Sequence, residues 1–156
     1  MAQDRTQRNS GPGSRHVRDV MTPNPECVTE RDGIQQAARI MKDKDTGVVP
    51  VVEGKKVIGL ITDRDIVVRG IAEGRDLANC KVNELMTKHV RSVSEDAPVS
   101  EVLELMSSAE IRRVAVTNSN GELVGIVSMG DIATNTNQDG KVGKTIEHIS
   151  EAPPNN

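Results

Sequence analysis

The chain contains the stretch Gly59-Leu60-Ile61-Thr62-Asp63-Arg64-Asp65-Ile66, which returns 66 positions later as Gly125-Ile126-Val127-Ser128-Met129-Gly130-Asp131-Ile132. The stretch ends a longer repeat, because Val17, Met21 and Thr22 reappear 65 positions on as Val82, Met86 and Thr87. One residue gained in the turn at 118–121 accounts for the change of spacing. A sequence that repeats itself is built from copies of one structural unit. We therefore expect two copies packed about a pseudo-twofold axis.

The repeat divides the chain into five segments. We predict a disordered polar tail over 1–15, a first copy over 16–72 and a linker over 73–81. The second copy then covers 82–135, and a polar tail covers 136–156 with a short helix near 142–149.

Each copy shows the same order of patterns. A helical lead-in (17–21 in copy one, 82–86 in copy two) and an irregular stretch (22–25 and 87–89) come first. A short strand follows, near Val28 in copy one and Val93 in copy two. A helix, two strands and a second helix beginning near Asp63 or Met129 follow. The strands are predicted over 48–52 and 57–61, and over 113–117 and 123–127. This is a mixed α/β (α+β) fold of two β-α-β-β-α copies.

The first helix of each copy is predicted from apolar residues at i, i+3, i+4 and i+7, which form one face of a helix. Asp96 precedes the second copy's helix and is predicted to be its N-cap. The apolar positions are Ile34, Ala37, Ala38 and Met41 in copy one, and Val99, Val102, Leu103 and Met106 in copy two.

Composition excludes several classes of function. The chain of 156 residues has no Phe, Tyr or Trp, so it offers no aromatic platform for single-stranded nucleic acid. A net charge of −3, with both signs mixed throughout, gives no basic stripe for duplex DNA. No apolar run is long enough for a membrane span. The first residues lack the apolar core of a signal peptide, so we expect a cytoplasmic protein.

Chemistry-bearing side chains are sparse. Cys27 and Cys80 are too few for a disulfide scaffold, and no His or Cys pair has zinc-ligand spacing, so no metal site is expected. The sequence shows no Walker-type glycine loop and no nucleophile–base arrangement. We expect no enzymatic activity.

The repeated features are those of a known family. A unit of about 60 residues that ends Gly-apolar-apolar-Thr/Ser-x-x-Asp-Ile, preceded by Val20-Met21-Thr22 and Leu85-Met86-Thr87, resembles the CBS (cystathionine β-synthase) domain. The tandem pair resembles a Bateman module, and the similarity covers about 17–134. The resemblance implies regulatory binding of AMP, ADP, ATP, NAD or S-adenosylmethionine in clefts between the repeats.

The repeated ending has a chemistry that suits a nucleotide. A carboxylate can accept both hydroxyls of a ribose in charge-assisted hydrogen bonds, and Asp65 and Asp131 are expected in the first turn of a helix. Thr62 and Ser128 offer a hydroxyl three residues earlier. The alternative is structural, because Thr/Ser-x-x-Asp before an apolar helix is also an ordinary capping arrangement.

The resemblance implies that each cleft combines the end of one copy with residues of the other. The Asp65 cleft would contain Thr62, Arg64, Asp65, Thr87, Val90, Ile111, Arg112 and Arg113. The Asp131 cleft would contain Ser128, Gly130, Asp131, Thr22, Cys27, Thr46, Gly47 and Val48. The three arginines predict that the Asp65 cleft prefers ligands with more phosphate.

Two functions remain open at this stage. The first is a sensor that binds an adenine nucleotide and changes the packing of a homodimer or of a regulated partner protein. The second is a structural interaction subunit whose clefts are vestigial and whose dimerising helices are the function.

Overall fold

The computed structural model describes residues 15–135. The predicted tail helix near 142–149, and nearly all of both predicted tails, lie outside the described residues.

The described chain forms two compact units. The copy-one unit comprises residues 24–91 and 120–123, and the copy-two unit comprises 15–23, 92–119 and 124–135. Each unit therefore contains the core of one copy together with the lead-in of the other. In chain order the elements are β1 (Thr22–Pro23), α1 (Ile34–Lys44), β2 (Val48–Glu53), β3 (Lys56–Thr62), α2 (Asp63–Asp65), α3 (Val82–Leu85), β4 (Thr87–Lys88), β5 (Ser92–Ser94), α4 (Val99–Ala109), β6 (Arg113–Thr117), β7 (Leu123–Ser128) and α5 (Met129–Asn135).

The copy-one unit is built on a three-stranded sheet in the order β2-β3-β4. The hairpin of β2 and β3 is antiparallel, with Val48 opposite Thr62. β4 adds to the free edge of β3, so that Thr87 lies opposite Leu60. The predicted strand near Val28 is a single parallel bridge to Val51. The sheet thus places the end of copy one beside β4, in the stretch of copy two that was predicted to be irregular and instead pairs as a strand.

The copy-two unit holds the matching arrangement. Its four-stranded sheet has the order β1-β7-β6-β5, and β1 places Thr22 opposite Ile126. β5 runs parallel to β6, with Val93 opposite Val116. The mixed α/β architecture of two similar repeats is thus confirmed.

The lead-ins are held in both units by equivalent backbone hydrogen bonds. In the copy-two unit, the Val17 N–H donates to Ala97 O at 2.9 Å. In the copy-one unit, the Val82 N–H donates to Asp32 O at 2.8 Å. Since donors and acceptors are both related by 65 positions, the repeat in the sequence is also a repeat of long-range contacts.

The cores show where the predicted helix faces are right and where one is wrong. All four predicted positions of α4 are buried. In α1, Ile34 and Ala37 are buried, but Ala38 is exposed and Ile40 takes its place in the core. The buried face of α1 is centred on Ala37. This orientation buries the side chain of Ile40 instead of the single methyl group of Ala38, so more apolar area is removed from water.

The predicted N-cap of α4 is also wrong. Pro98 is the N-cap residue. Asp96 lies before it, where its backbone N–H donates to Ser94 Oγ at 3.0 Å and its carboxylate pairs with Arg18. The Asp96 carboxylate, which capping would have required, is instead paired with Arg18 of the copy-one lead-in.

The second helix of copy one has an unusual form. After the single turn of α2, residues Ile66–Ile71 form a π-helix, and the Ala72 N–H donates to Val67 O at 2.8 Å. π-Helical turns are rare and are frequent at functional sites. This turn carries the side chain of Arg69, which is considered below.

Candidate functional site

Asp65 lies where β3 passes into α2, as the sequence predicts. Its Oδ2 accepts the backbone N–H of Thr62 at 3.0 Å, and its own N–H donates to Thr62 Oγ1 at 3.0 Å. These two bonds form a capping box, so the structural alternative is present in the molecule. Asp65 is 7% exposed and is the buried charged side chain among the described residues. The capping bonds fix the orientation of its carboxylate.

Asp131 repeats this geometry between β7 and α5. The Ser128 N–H donates to Asp131 Oδ2 at 2.9 Å, and the Asp131 N–H donates to Ser128 Oγ at 3.0 Å. Asp131 is partly buried, and the adjacent Gly130 is exposed. Both copies therefore present a carboxylate held in the same manner at the same place in the fold.

Thr87 meets Asp65 inside the copy-one unit, as the resemblance implies. Its Oγ1 lies 3.3 Å from both carboxylate oxygens of Asp65. A hydroxyl at this position occupies the same carboxylate that would accept a ribose. A carboxylate offers about four acceptor positions, so a diol bound at Asp65 would share it with Thr87.

Arg69 is a residue of this site that the sequence analysis missed. Its Nη1 lies 3.5 Å from Asp65 Oδ1 and 3.4 Å from Thr87 Oγ1. The spacing of four residues from Asp65 is a signal that could have identified it, because such pairs face each other on a helix.

At Gly59 and Gly125 the absence of a side chain lets another backbone segment of the protein approach closely. A Cβ at Gly59 would lie 2.7 Å from Thr87 O, and one at Gly125 would lie 3.0 Å from Thr22 O. The first glycine of each repeated ending thus packs against the short strand that pairs with it, β4 for Gly59 and β1 for Gly125.

Three of the remaining predicted residues of the copy-one unit, Thr46, Gly47 and Val48, lie at the start of β2. Gly47 O accepts the Asp63 N–H at 3.0 Å, which joins this start to the Asp65 turn. Thr46 Oγ1 lies 3.3 Å from Val48 N. Cys27 and Val90 are half-buried, and Arg64 is exposed.

Three of the remaining predicted residues of the copy-two unit, Ile111, Arg112 and Arg113, lie at the start of β6. Arg112 O accepts the Met129 N–H at 2.9 Å, in the manner of Gly47 and Asp63. Arg112 is exposed, and Ile111 and Arg113 are partly buried. Thr22 is exposed on β1. The grouping of residues from both units into two clefts stays a prediction.

Both cysteine thiols have a raised pKa, which disfavours the thiolate. Burial raises the pKa of the Cys27 thiol, and the neighbouring Glu26 carboxylate raises it further. Burial likewise raises the pKa of Cys80. Within residues 15–135, no group of three or more His, Cys, Asp or Glu side chains is arranged to hold a metal ion. No helix in that part of the chain has the length and apolarity to span a bilayer.

Comparison with known proteins identifies the repeated unit. The family model described as CBS domain matches twice, over residues 17–70 and 82–135. Hypoxic Response Protein I, whose crystal structure contains two coordinated zinc ions, is 35% identical in sequence to this chain. The two structures match with a TM-score of 0.69, covering 77% of this chain and 98% of that one.

Two further similar structures contain adenosine compounds. The CBS domain pair of protein MJ0100, in complex with 5′-methylthioadenosine and S-adenosyl-L-methionine, is 30% identical with a TM-score of 0.69, covering 78% of this chain and 94% of that one. CBSX2 in complex with AMP is 25% identical with a TM-score of 0.65, covering 76% and 93%. These relatives bind ligands that share an adenosine group.

Proposed function

Because the chain belongs to the CBS-domain family, we propose that it is a non-catalytic sensor that binds an adenine nucleotide at Asp65 and Asp131. AMP, ADP, ATP and NAD all carry the adenosine group that the ligands of similar structures share. Binding would act on a partner or on a homodimer through unequal affinity for two conformations.

The observation that carries this proposal is the pair of oriented carboxylates. Backbone N–H groups hold Oδ2 of Asp65 and of Asp131 at 3.0 and 2.9 Å. A hydrogen bond to one carboxylate oxygen also fixes the direction of the second oxygen. An acceptor that is already oriented binds a diol with little loss of conformational freedom. A capping hydrogen bond alone could also be made by an uncharged amide side chain, whereas both copies have a charged carboxylate at this position.

Adenine would have to pack on aliphatic side chains, since the chain has no aromatic residue. Apolar burial and hydrogen bonding to the ribose would then supply most of the affinity for AMP. Additional phosphates require cations, for which the copies differ. Arg64, Arg112 and Arg113, grouped with Asp65 by the resemblance, are proposed to favour ADP and ATP at that site.

We expect the double variant Arg112→Gln/Arg113→Gln to lose more affinity for ATP than for AMP, because ATP brings more negative charge to the lost guanidinium groups. The difference should shrink as salt is raised. Glutamine keeps the side-chain length and the backbone bond from Met129 N. Calorimetric titration with both nucleotides at two salt concentrations measures the effect.

A matched control variant makes the same change in net charge at two other arginines of the chain. Arg31→Gln/Arg39→Gln alters two exposed arginines of the copy-one unit that have no part in the proposal. It should leave the ratio of ATP to AMP affinity unchanged. An equal loss of AMP and ATP affinity in the Arg112/Arg113 variant would remove these arginines from phosphate recognition.

The proposed function is tested by what the purified protein carries. Without Trp or Tyr the chain barely absorbs at 280 nm, so a 260 nm peak that survives gel filtration reveals a bound base. Mass spectrometry of the denatured extract should then identify an adenine nucleotide. Absence of any nucleotide, together with no heat on titration with AMP, ADP, ATP or NAD, would refute the proposal.

A dimerisation role is the second candidate, favoured by one observation. Val67, Val68 and Ile71 are 52%, 44% and 59% exposed on the π-helical turn of the copy-one unit. Contiguous exposed apolar side chains are typical of interaction surfaces. We propose that this turn contributes to a homodimer.

We expect sedimentation equilibrium to give twice the chain mass of 16.8 kDa at micromolar concentration. The variant Val68→Asp/Ile71→Asp should shift the equilibrium to monomer, because charges placed in an apolar interface lose hydration. A parent that is monomeric throughout this range would contradict the dimer.

A further inference from the structure

Arg69 joins the Asp65 site to the lead-in of copy two. Its Nη1 donates to Leu85 O at 3.0 Å and to Met86 O at 3.1 Å. The same nitrogen is near Thr87 Oγ1 and Asp65 Oδ1, at 3.4 and 3.5 Å. One guanidinium therefore contacts the end of α3, the Thr87 hydroxyl and the Asp65 carboxylate.

The backbone is shaped for this contact. A Cβ at Gly70 would lie 2.9 Å from Leu77 Cδ2 and 3.1 Å from Leu85 Cδ1. Since residue 70 has no side chain, the π-helical turn can lie close against α3. This close packing brings the neighbouring Arg69 within reach of the carbonyl groups of Leu85 and Met86.

We propose that Arg69 is a positioning residue that holds the Asp65 carboxylate and the Thr87 hydroxyl in one arrangement and thereby couples ligand binding at Asp65 to segment 82–88. The identity of the ligand rests on the proposed function above. Thr87 contacts both oxygens of the Asp65 carboxylate and Arg69 contacts Oδ1, so a ribose bonded to Asp65 would share this carboxylate with segment 82–88.

The two copies differ in this respect. The residue 66 positions after Arg69 is Asn135, which carries an uncharged amide. The guanidinium is thus a feature of copy one. The coupling therefore belongs to the Asp65 site, and it makes the two repeated endings functionally unequal.

The first test compares AMP with 2′-deoxy-AMP, which lacks one hydroxyl of the diol. We expect Arg69→Gln to weaken AMP binding about three- to tenfold, since a partly exposed ion pair positions the acceptor. Binding of 2′-deoxy-AMP should change little, so the preference for AMP falls. Calorimetric titration of each variant gives both affinities.

Arg75→Gln is the matched control. Arg75 Nη1 bonds to Glu84 Oε1 at 2.8 Å, so this arginine also holds α3, from a position outside the Asp65 contacts described above. It should leave the preference for AMP unchanged. Equal weakening of both nucleotides by Arg69→Gln, or the same loss of preference in Arg75→Gln, would overturn the proposal. If Arg69→Gln fails to fold, Arg69→Lys serves the same comparison.

The second test needs no ligand. Amide hydrogen exchange at residues 86–88 should be faster in both Arg69→Gln and Asp65→Asn than in the parent, and unaffected in Arg75→Gln. Unchanged exchange in Asp65→Asn would mean that Arg69 serves the carbonyl groups alone, which overturns the coupling. A parent that binds neither nucleotide refutes the proposed function, while the exchange rates still decide the role of Arg69.

Discussion

Replacing Gly59 with alanine is expected to lower the free energy of unfolding by about 1–3 kcal/mol, the usual cost of overpacking a well-packed site. The new Cβ would lie 2.7 Å from the backbone oxygen of Thr87, which cannot rotate away. Relief requires the β3–β4 pairing to open, and this pairing holds the lead-in of copy two. Urea unfolding of parent and variant measures the change.

Gly33→Ala is the control for this substitution. Gly33 has φ −76° and ψ 152°, which any residue adopts, and its nearest neighbour to a Cβ is Cys80 O at 4.0 Å. Alanine there should be neutral or stabilising, because it reduces the freedom of the unfolded chain. If Gly59→Ala is as stable as Gly33→Ala, the lead-in strand does not pack on Gly59 as described.

The variant Asp65→Asn should lower the affinity of the Asp65 site for AMP at least about tenfold, because bonds to a charged acceptor contribute about 1.5–3 kcal/mol each. Asparagine keeps the size of the side chain and an oxygen for the Thr62 N–H. It therefore tests the charge more selectively than alanine, which would also remove the capping bond. Titration with AMP measures the loss.

Asp63→Asn provides the comparison on the same turn. Asp63 is exposed, and its carboxylate accepts the N–H of the adjacent Arg64 at 2.8 Å. Its replacement should leave AMP affinity within about twofold, as expected for an exposed charge outside a contact. Equal losses in the two variants would point to the overall charge of the turn rather than to a ribose bond.

Most of the fold was predictable because each copy carries local signals twice. The strands at 113–117 and 123–127 agree with β6 and β7 to within one residue. The buried face of α4 follows directly from its apolar spacing. The buried face of α1 shifted because Ala38 offers little apolar area, so Ile40 was the better residue to bury.

No local sequence pattern predicted that the lead-in of each copy belongs to the unit built on the other copy. The bond from Val82 N to Asp32 O joins residues 50 positions apart, and no pattern within either segment identifies its partner. Arg69 shows the same limit, because its spacing from Asp65 is visible in the sequence but its contacts with Leu85 O and Met86 O depend on the packing of α3.

Two backbone features were likewise beyond the sequence pattern. The residues Asn24 and His89, 65 positions apart, both have positive φ, at 48° and 59°. The pair Asp45 and Glu110 repeats this at the ends of α1 and α4, at 54° and 56°. Asn, Asp and His are enriched at positive φ, but glutamate is not, so the identity of Glu110 gives no warning of this conformation.

The proposed binding of ribose by Asp65 and Asp131 is tested by calorimetric titration of AMP into the parent and into the double variant Asp65→Asn/Asp131→Asn. We expect saturable binding by the parent and affinity at least about tenfold weaker in the folded double variant. Equal AMP affinity in the two proteins would show that these carboxylates do not bind the ribose.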